Sequence, residues 1–396
     1  MKVLALGGSG GMGRRALAVL ANETPVDEVI VADLDEAAAH RVAEELRAQG
    51  QAASARRVDV SNTEALRSLI TEADLVMNSV GPYFRFGPPV LQAAIDAGKN
   101  YIDICDDAEP TRTMFALDGQ ARAAGVTAII GAGASPGFMN MLAREAAVGL
   151  DEVEDVTVAW TINNPGRNWD LMRPPRSGGV AATVHLFEQF TGTVPVIEHG
   201  GIVQRRTREP IYFDVAGLGR GTGYVVGHPE PLTVPISLGA RGRAVSVCLL
   251  GSERAEALHR LAEAVERKGC TLEEAARRLR SDRLPQPSAG GVSFAGCGDL
   301  PTYFVLLTGS RKGRRVRQYA GCLSKPEAMS LGTGVPYGVA TAQFIASVSR
   351  PAPGVHAVDA VLDPQPYFAR IADLWGVDLA DLYFVGLDSH CSTDPV

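Results

Sequence analysis

The sequence predicts an α/β protein: a doubly wound parallel sheet, then an inserted antiparallel α+β domain. Three observations carry this. Up to Leu150, short apolar runs alternate with amphipathic stretches of helical period. Beyond Leu150 helical stretches become sparse and strand-like runs follow one another directly. A glycine turn, Gly7-Gly8-Ser9-Gly10-Gly11-Met12-Gly13, joins the first apolar run to the first helical one.

The elements follow in order. Strands are expected at 2–6, 28–32, 55–58, 75–79, 101–104 and 127–130, with helices at 12–21, 36–48, 63–71, 88–97, 111–124 and 139–148. Six strands with crossover helices make a full Rossmann dinucleotide-binding fold. Val153–Thr161 then alternates like a half-exposed strand, and Val194–Val203 reads as a hairpin around Gly200-Gly201. Further strand-like runs lie at 211–215, 232–238, 244–250, 302–307 and 315–320, and helices at 179–190, 253–268 and 271–280. Residues 285–291 read as a loop. From Pro326 to Val348 the chain turns helical again; Val335-Pro336 breaks that run near Gly334, leaving a helix expected to pack on the first domain. The expected division is 1–137 (dinucleotide binding), 138–325 (substrate and dimerisation) and 326–396 (helices returning to the first domain).

Bulk properties narrow the function. A chain of 396 residues suits two domains. A net charge of −7 argues against nucleic acid as a partner. The basic run Arg311-Lys312-Gly313-Arg314-Arg315 lies between apolar runs and reads as a solvated hairpin tip. Six cysteines (105, 248, 270, 297, 322 and 391) form no CxxC pair, which suits reduced thiols and a cytoplasmic location. No zinc-ligand spacing occurs, so no metal is expected. No apolar stretch reaches membrane-spanning length, and the opening MKVLALGGSGG reads as a strand, not a secretion signal.

The nucleotide site is read from the turn and the strand ends. Gly8, Gly10 and Gly13 form G-x-G-x-x-G, with Ser9, Gly11 and Met12 between them, after a strand and before a helix. Such a turn lets backbone approach a diphosphate, and the helix N-terminus faces its charge. Asp33 ends the second strand, placed to accept both adenosine ribose hydroxyls. Leu34, Asp35 and Glu36 offer no arginine for a 2′-phosphate, so NAD is favoured over NADP. Asp35 is free to cap the next helix. Asp59 and Val60 follow the third strand, either at the adenine edge or in a solvated turn. Ser79, Val80 and Gly81 follow the fourth and should border the nicotinamide ribose.

These residues resemble the saccharopine dehydrogenase superfamily, which includes saccharopine reductases and lysine 6-dehydrogenases. The resemblance rests on GGSGGMGR at 7–14, NSVGPYFRFGPPVLQAAIDAGKNYIDICDD at 78–107 and GASPGFMNMLA at 133–143. Looser matches are the segment 176–203, VGHPEP at 226–231 and GTGVPYGVA at 332–340. It implies a Rossmann domain, an inserted α+β domain whose sheet forms a homodimer, and pyridine-nucleotide chemistry at a carbon–nitrogen bond of an amino acid. Ser135 stands where many relatives have an acid, and residues 382–396 match no ending of the family. A tailoring reaction of secondary metabolism is therefore a further expectation beside lysine chemistry.

Amine oxidation needs a proton acceptor and a clamp for the substrate carboxylate. Tyr83, after the Val80-Gly81-Pro82 turn, either positions substrate or packs under the loop. Asp103, Cys105 and Asp106 end the fifth strand; neighbouring acids there raise one another's pKa, or Asp103 simply holds a loop. Cys105 is a core thiol or a site residue. Arg173 and Arg176, on a loop with Trp169, are carboxylate candidates. His228 is an acid/base or a structural histidine, and His185 lies among apolar neighbours. The expected function is an NAD(P)-dependent oxidoreductase of the lysine 6-dehydrogenase or saccharopine reductase kind. Reductive condensation of an amine with a carbonyl, or a non-catalytic nucleotide sensor, are the alternatives.

Overall fold

The computed structural model describes residues 1–23, 26–161, 181–280, 294–323, 332–347 and 351–389. The chain divides into two units: Met1–Met141 with Leu331–Leu379, and Leu142–Ser330 with Ala380–Val396.

The first unit runs β1 (Lys2–Leu6), α1 (Gly11–Glu23), β2 (Glu28–Asp33), α2 (Glu36–Ala48), β3 (Ala53–Arg57), α3 (Thr63–Thr71), β4 (Leu75–Asn78), α4 (Tyr83–Asp96), β5 (Asn100–Asp103), α5 (Ala108–Phe115), α6 (Asp118–Ala124), β6 (Thr127–Ile130) and α7 (Phe138–Ala147). β1, β2, β4 and β6 are buried along nearly their whole length, as strands covered on both faces must be. Asp35 caps α2 by accepting from Ala38 N, and Asn62 caps α3 by accepting from Ala65 N. α4 starts five residues earlier than its apolar period indicates. Pro82 is its N-cap, and its helical turn carries through Pro88-Pro89. The single expected helix 111–124 is two, with Leu117 at the break.

The second unit continues with β7 (Glu152–Thr161), α8 (Ala181–Phe190), β8 (Thr193–Glu198), β9 (Gly201–Arg206), β10 (Pro210–Val215), β11 (Gly219–Val225), α9 (Glu230–Leu238), β12 (Ala244–Leu249), α10 (Ser252–Glu266), α11 (Leu272–Arg280), β13 (Phe304–Arg311) and β14 (Arg314–Cys322). The chain then forms α12 (Gly334–Ala346), β15 (Gly354–Ala357), α13 (Val358–Val361), α14 (Pro364–Trp375), α15 (Leu379–Leu382) and β16 (Tyr383–Asp388).

The first sheet is wholly parallel, in the order β15-β6-β5-β4-β1-β2-β3. β1 lies between β2 and β4, so the winding reverses there and opens a crevice at the strands' carboxyl ends. Seven strands replace the expected six. β15 is only four residues long, with a histidine among them, and it pairs with β6 after the whole inserted unit. α12 packs on α1, as expected from the break near Gly334. A Cβ at Gly338 would lie 2.6 Å from Val19 Cβ and 2.7 Å from Ala16 O, so absent side chains permit this helix contact.

The second sheet runs β10-β11-β12-β7-β13-β14-β16, with the β8–β9 hairpin attached through β12. It is mixed and not purely antiparallel, because β12 and β7 pair in parallel. Alternate residues feed two cores. Trp160, Tyr224 and Cys248 join the core with α8, α10 and α11, while Ala159, Val225 and Val247 join the other. Three expectations are corrected. Residues 232–238 are helical: Pro231 falls in the opening turn, where its missing donor is not needed, Pro235 is carried inside the helix, and Gly239 ends it in the left-handed region. β11 went unseen because Gly219, Gly221 and Gly223 dilute its apolar pattern. Residues after Ala380 join this unit and do not return to the first. β16 pairs along β14, and Arg317 holds the nearly buried Asp388.

The basic run is the expected hairpin tip: Lys312 and Gly313 both have positive φ between β13 and β14. Cys105, Cys248, Cys270, Cys297 and Cys322 are free thiols. Cys391 and the expected loop 285–291 lie outside the described residues. No helix among the described residues is long and apolar enough to cross a membrane.

Candidate functional site

The glycine turn is built in two parts. Gly8 and Gly13 are consumed by packing: a Cβ at Gly8 would sit 2.9 Å from Ala5 O, and one at Gly13 would sit 2.6 Å from Gly7 O. Gly10 and Gly11 are exposed; a Cβ at Gly10 would sit 3.2 Å from Gly7 O, whereas one at Gly11 would meet nothing within 4 Å. Arg14 N closes the first helical bond onto Gly10 O at 2.9 Å. The N–H groups of Gly11, Met12 and Gly13, in the first turn of α1, have no backbone acceptor among the described residues. A helix start with free donors and an unobstructed glycine face fits a diphosphate.

Asp33 ends β2 half-buried, and Ser9 Oγ donates to its Oδ2 at 2.5 Å. The serine of the turn thereby orients the carboxylate that the sequence assigned to a ribose. Asp35 caps α2 as expected, leaving Asp33 to the site. Arg57 was missed. It lies three positions beyond the strand-like residue Ser54, and only the parallel register of β2 and β3 places it opposite Asp33. The Arg57 side chain is exposed and makes no hydrogen bond or ion pair among the described residues, though its charge helps to hold the Asp59 carboxyl low. Asp59 takes the solvated-turn alternative: it is exposed and accepts from Ser61 N and Oγ, which hold its carboxyl below the usual range. Val60 is half-buried against the core.

Ser79, Val80 and Gly81 grade from half-buried to exposed, and Ser79 N bonds Leu6 O at 2.9 Å. Ser79 carbonyl atoms lie 3.1 Å from where a Gly7 Cβ would stand, so this segment abuts the glycine turn. Tyr83 does not line the crevice. It is the first residue of α4, 6% exposed, and donates its hydroxyl to Asn78 O at 2.9 Å. Burial pushes its phenol well above the ordinary value.

Asp103 is fully buried. Its Oδ1 accepts from Cys105 N (3.0 Å) and Gly131 N (2.9 Å), and its Oδ2 from Tyr101 Oη (2.8 Å). Asn78 donates in turn to Tyr101 Oη at 3.0 Å. The carboxylate thus ties together the ends of β4, β5 and β6, which is the loop-holding alternative. Burial lifts its carboxyl to about 6, with Asp106 a small contributor and not the main cause expected from the sequence. Cys105 is a buried core thiol whose pKa burial raises strongly. Asp106 remains half-buried on the loop after β5.

In the second unit His228 is buried, with Nδ1 2.6 Å from Glu230 Oε2. Glu230 was missed as a partner, although His-Pro-Glu places it two residues on. His185 is partly buried, and its Nε2 pairs with Gln189 at 3.0 Å. Arg173 and Arg176 lie outside the described residues.

Comparison with known proteins places the first unit's sequence and the overall fold beside known ones. Residues 3–129 match the family described as "Saccharopine dehydrogenase NADP binding domain". The mouse (Mus musculus) "Saccharopine dehydrogenase-like oxidoreductase" is 41% identical over 58 residues, 15% of this chain and 14% of its own length. An Arabidopsis thaliana protein named as a probable mitochondrial saccharopine dehydrogenase-like oxidoreductase is also 41% identical over 58 residues, 15% of this chain and 13% of its own length. These matches span only about a seventh of either relative. The solved apo saccharopine dehydrogenase (L-Glu forming) of Saccharomyces cerevisiae aligns over 98% of this chain and 99% of its own, with a TM-score of 0.58 at 14% identity, and so shares the fold.

Proposed function

We propose that this chain is a pyridine-nucleotide-dependent oxidoreductase acting at a carbon–nitrogen bond of an amino acid, a reading supported by the match of residues 3–129 to the saccharopine dehydrogenase NADP-binding domain. The observation that carries the reading is the set of N–H groups without a backbone acceptor at the start of α1, beside exposed Gly10 and Gly11. When bound there, the coenzyme supplies the hydride acceptor or donor. The N–H groups of Gly11, Met12 and Gly13 bind the diphosphate, and Asp33, oriented by Ser9, accepts the ribose hydroxyls. Ser79 to Gly81 border the remainder of the coenzyme.

NAD is the preferred coenzyme, because the Asp33 carboxylate repels a 2′-phosphate. The name of the matched family points to NADP, and Arg57, opposite Asp33 in the strand register, supplies the cation that NADP binding needs. We therefore assign NAD first and NADP second. Hydride removal requires a neutral amine, so a proton must be accepted nearby. Asp106, half-buried on the loop after β5, is the described group proposed for that role. Asp103 and Tyr83 support the strand ends.

The test is turnover. L-Lysine, saccharopine and other N-substituted amino acids are offered with NAD, and 2-oxo acids plus amines with NADH. NADH formed from a single amino acid supports the reading. NADH consumed only when amine and carbonyl are both present marks the reductive condensation instead. No turnover with tight coenzyme binding leaves the nucleotide sensor.

A further inference from the structure

The ends of β4 and β5 carry a buried chain of hydrogen bonds that leads from a carboxyl group to the glycine turn. Asn78, Tyr101 and Asp103 are all fully buried. Tyr101 Oη donates to Asp103 Oδ2 at 2.8 Å and accepts from Asn78 Nδ2 at 3.0 Å. Asn78 Oδ1 accepts from Val80 N at 3.0 Å. Val80 Cγ2 in turn lies 3.1 Å from where a Gly7 Cβ would stand, so the far end of the chain rests on the glycine turn.

The direction of every bond is fixed. A backbone N–H only donates, so Val80 determines which end of the Asn78 amide is the oxygen. The amide nitrogen then faces Tyr101, whose hydrogen must point to Asp103. An ionised carboxylate completes the chain: Oδ1 takes the N–H groups of Cys105 and Gly131, and Oδ2 takes the phenol. A protonated one does not. Oδ1 already faces two donors, so the proton sits on Oδ2 and points at Tyr101 Oη. Tyr101 must then turn its hydrogen toward Asn78. Asn78 accepts it only with Oδ1, which withdraws that oxygen from Val80 and sets the amide nitrogen against the Val80 N–H. Around fully buried side chains water does not replace the lost bond.

The groups facing Asp103 leave it to change charge within this chain. They are Tyr101 on β5, Tyr83 on α4, Tyr337 on α12, and Cys105 and Asp106 on the loop after β5. Burial holds the three phenols and the thiol well above their ordinary values, so they stay neutral. The Asp103 carboxyl, lifted by burial to about 6, titrates close to neutrality.

We propose that Asn78, Tyr101 and Asp103 form a proton-sensitive positioning relay: ionised Asp103 holds Val80 against the glycine turn, and its protonation releases Val80 and weakens coenzyme binding. The effect on coenzyme rests on the function proposed above.

The experiment has two readouts on the full chain between about pH 5 and about pH 8. The first is calorimetric titration with NAD, which lacks the titrating phosphate monoester of NADP. Wild-type affinity should fall roughly 5-fold from the upper to the lower pH, the loss of about one hydrogen bond. Asp103→Asn presents an amide donor to Tyr101, mimics the protonated form and should bind weakly at every pH. Tyr101→Phe cuts the relay but leaves the Asn78–Val80 bond, and should bind tightly at every pH. The second readout is the Val80 amide resonance of the coenzyme-free chain, labelled with ¹⁵N-valine. It should titrate with a midpoint near 6 in the wild type and stay constant in both variants. A constant wild-type Val80 signal overturns the relay even if neither variant folds. A wild-type NAD affinity that does not vary with pH, or varies equally in Asp103→Asn, also overturns the proposal. A Val80 signal that titrates in a chain that takes up no NAD supports the relay and overturns the coenzyme reading.

Discussion

Replacing Asp33 by alanine should invert coenzyme choice. In the wild type the carboxylate is presented by Ser9 Oγ at 2.5 Å, and its backbone continues the β2–β3 ladder opposite Arg57. Each hydrogen bond to a charged group contributes about 1.5–3 kcal/mol. Two ribose hydroxyls at the low end give about 3 kcal/mol, so NAD affinity should fall roughly 100-fold. For NADP the change has the opposite sign. A carboxylate and a phosphate about 4 Å apart repel by about 4 kcal/mol at an effective dielectric of 20. Asp33 is only half-buried, so salt and water screen this to about 1 kcal/mol, a gain of about 5-fold. The ratio of NAD to NADP affinity should therefore move by at least about 100-fold toward NADP. In the Asp33→Ala background, Arg57→Ala should remove the NADP gain; in the wild type it should leave NAD binding unchanged. NADH and NADPH fluorescence titrations on the variants measure this. A ratio that stays within about 5-fold of wild type would refute the assignment of Asp33 to the ribose.

Other outcomes follow from the packing. Asp103, fully buried with its carboxyl lifted to about 6, keeps its proton in the folded chain where the unfolded chain has lost it. Its contribution to stability is therefore full below about pH 4 and declines as pH rises through 6, by about 3 kcal/mol. Urea unfolding from pH 4 to 7.5 should show Asp103→Asn gaining on the wild type across that window; a constant difference contradicts the burial argument. Gly338→Val places a branched side chain where Val19 and the Ala16 carbonyl already stand, and should cost at least about 1–3 kcal/mol in thermal unfolding. Asp388→Ala leaves the guanidinium of Arg317 largely buried without its partner, and should destabilise the second unit by about 3 kcal/mol, read by hydrogen exchange in β14.

The parts of the fold that could be read in advance are those with a local signal. β1, the glycine turn and Asp33 follow from apolar runs, glycine spacing and a terminal acid within one short segment. The tip at Lys312-Gly313 and the break before α12 follow from turn and proline chemistry. What escaped depends on distant partners. β15 and β16 are strands because β6 and β14 offer edges to pair with, which no four- or six-residue window reveals. The helix at 230–238 misleads because its Thr-Val-Pro-Ile core has strand composition, while only Pro231 marks a helix start. Within the site, Arg57 is brought to Asp33 by register alone, and for Tyr83 and Asp103 the sequence leaves an active and a structural reading side by side. Their hydroxyl and carboxylate are already committed to backbone groups of β4, β5 and β6, and that commitment is visible only in three dimensions.

Calorimetric titration of the intact chain with NAD, NADH, NADP and NADPH addresses the central claim most directly, alongside a Gly11→Asp variant that sets a like charge against the diphosphate at an open position. The account predicts one site per chain, tightest for NAD or NADH, and lost in the variant while the fold persists. Absence of uptake of all four coenzymes by the folded wild type, or unchanged uptake by the variant, would contradict it.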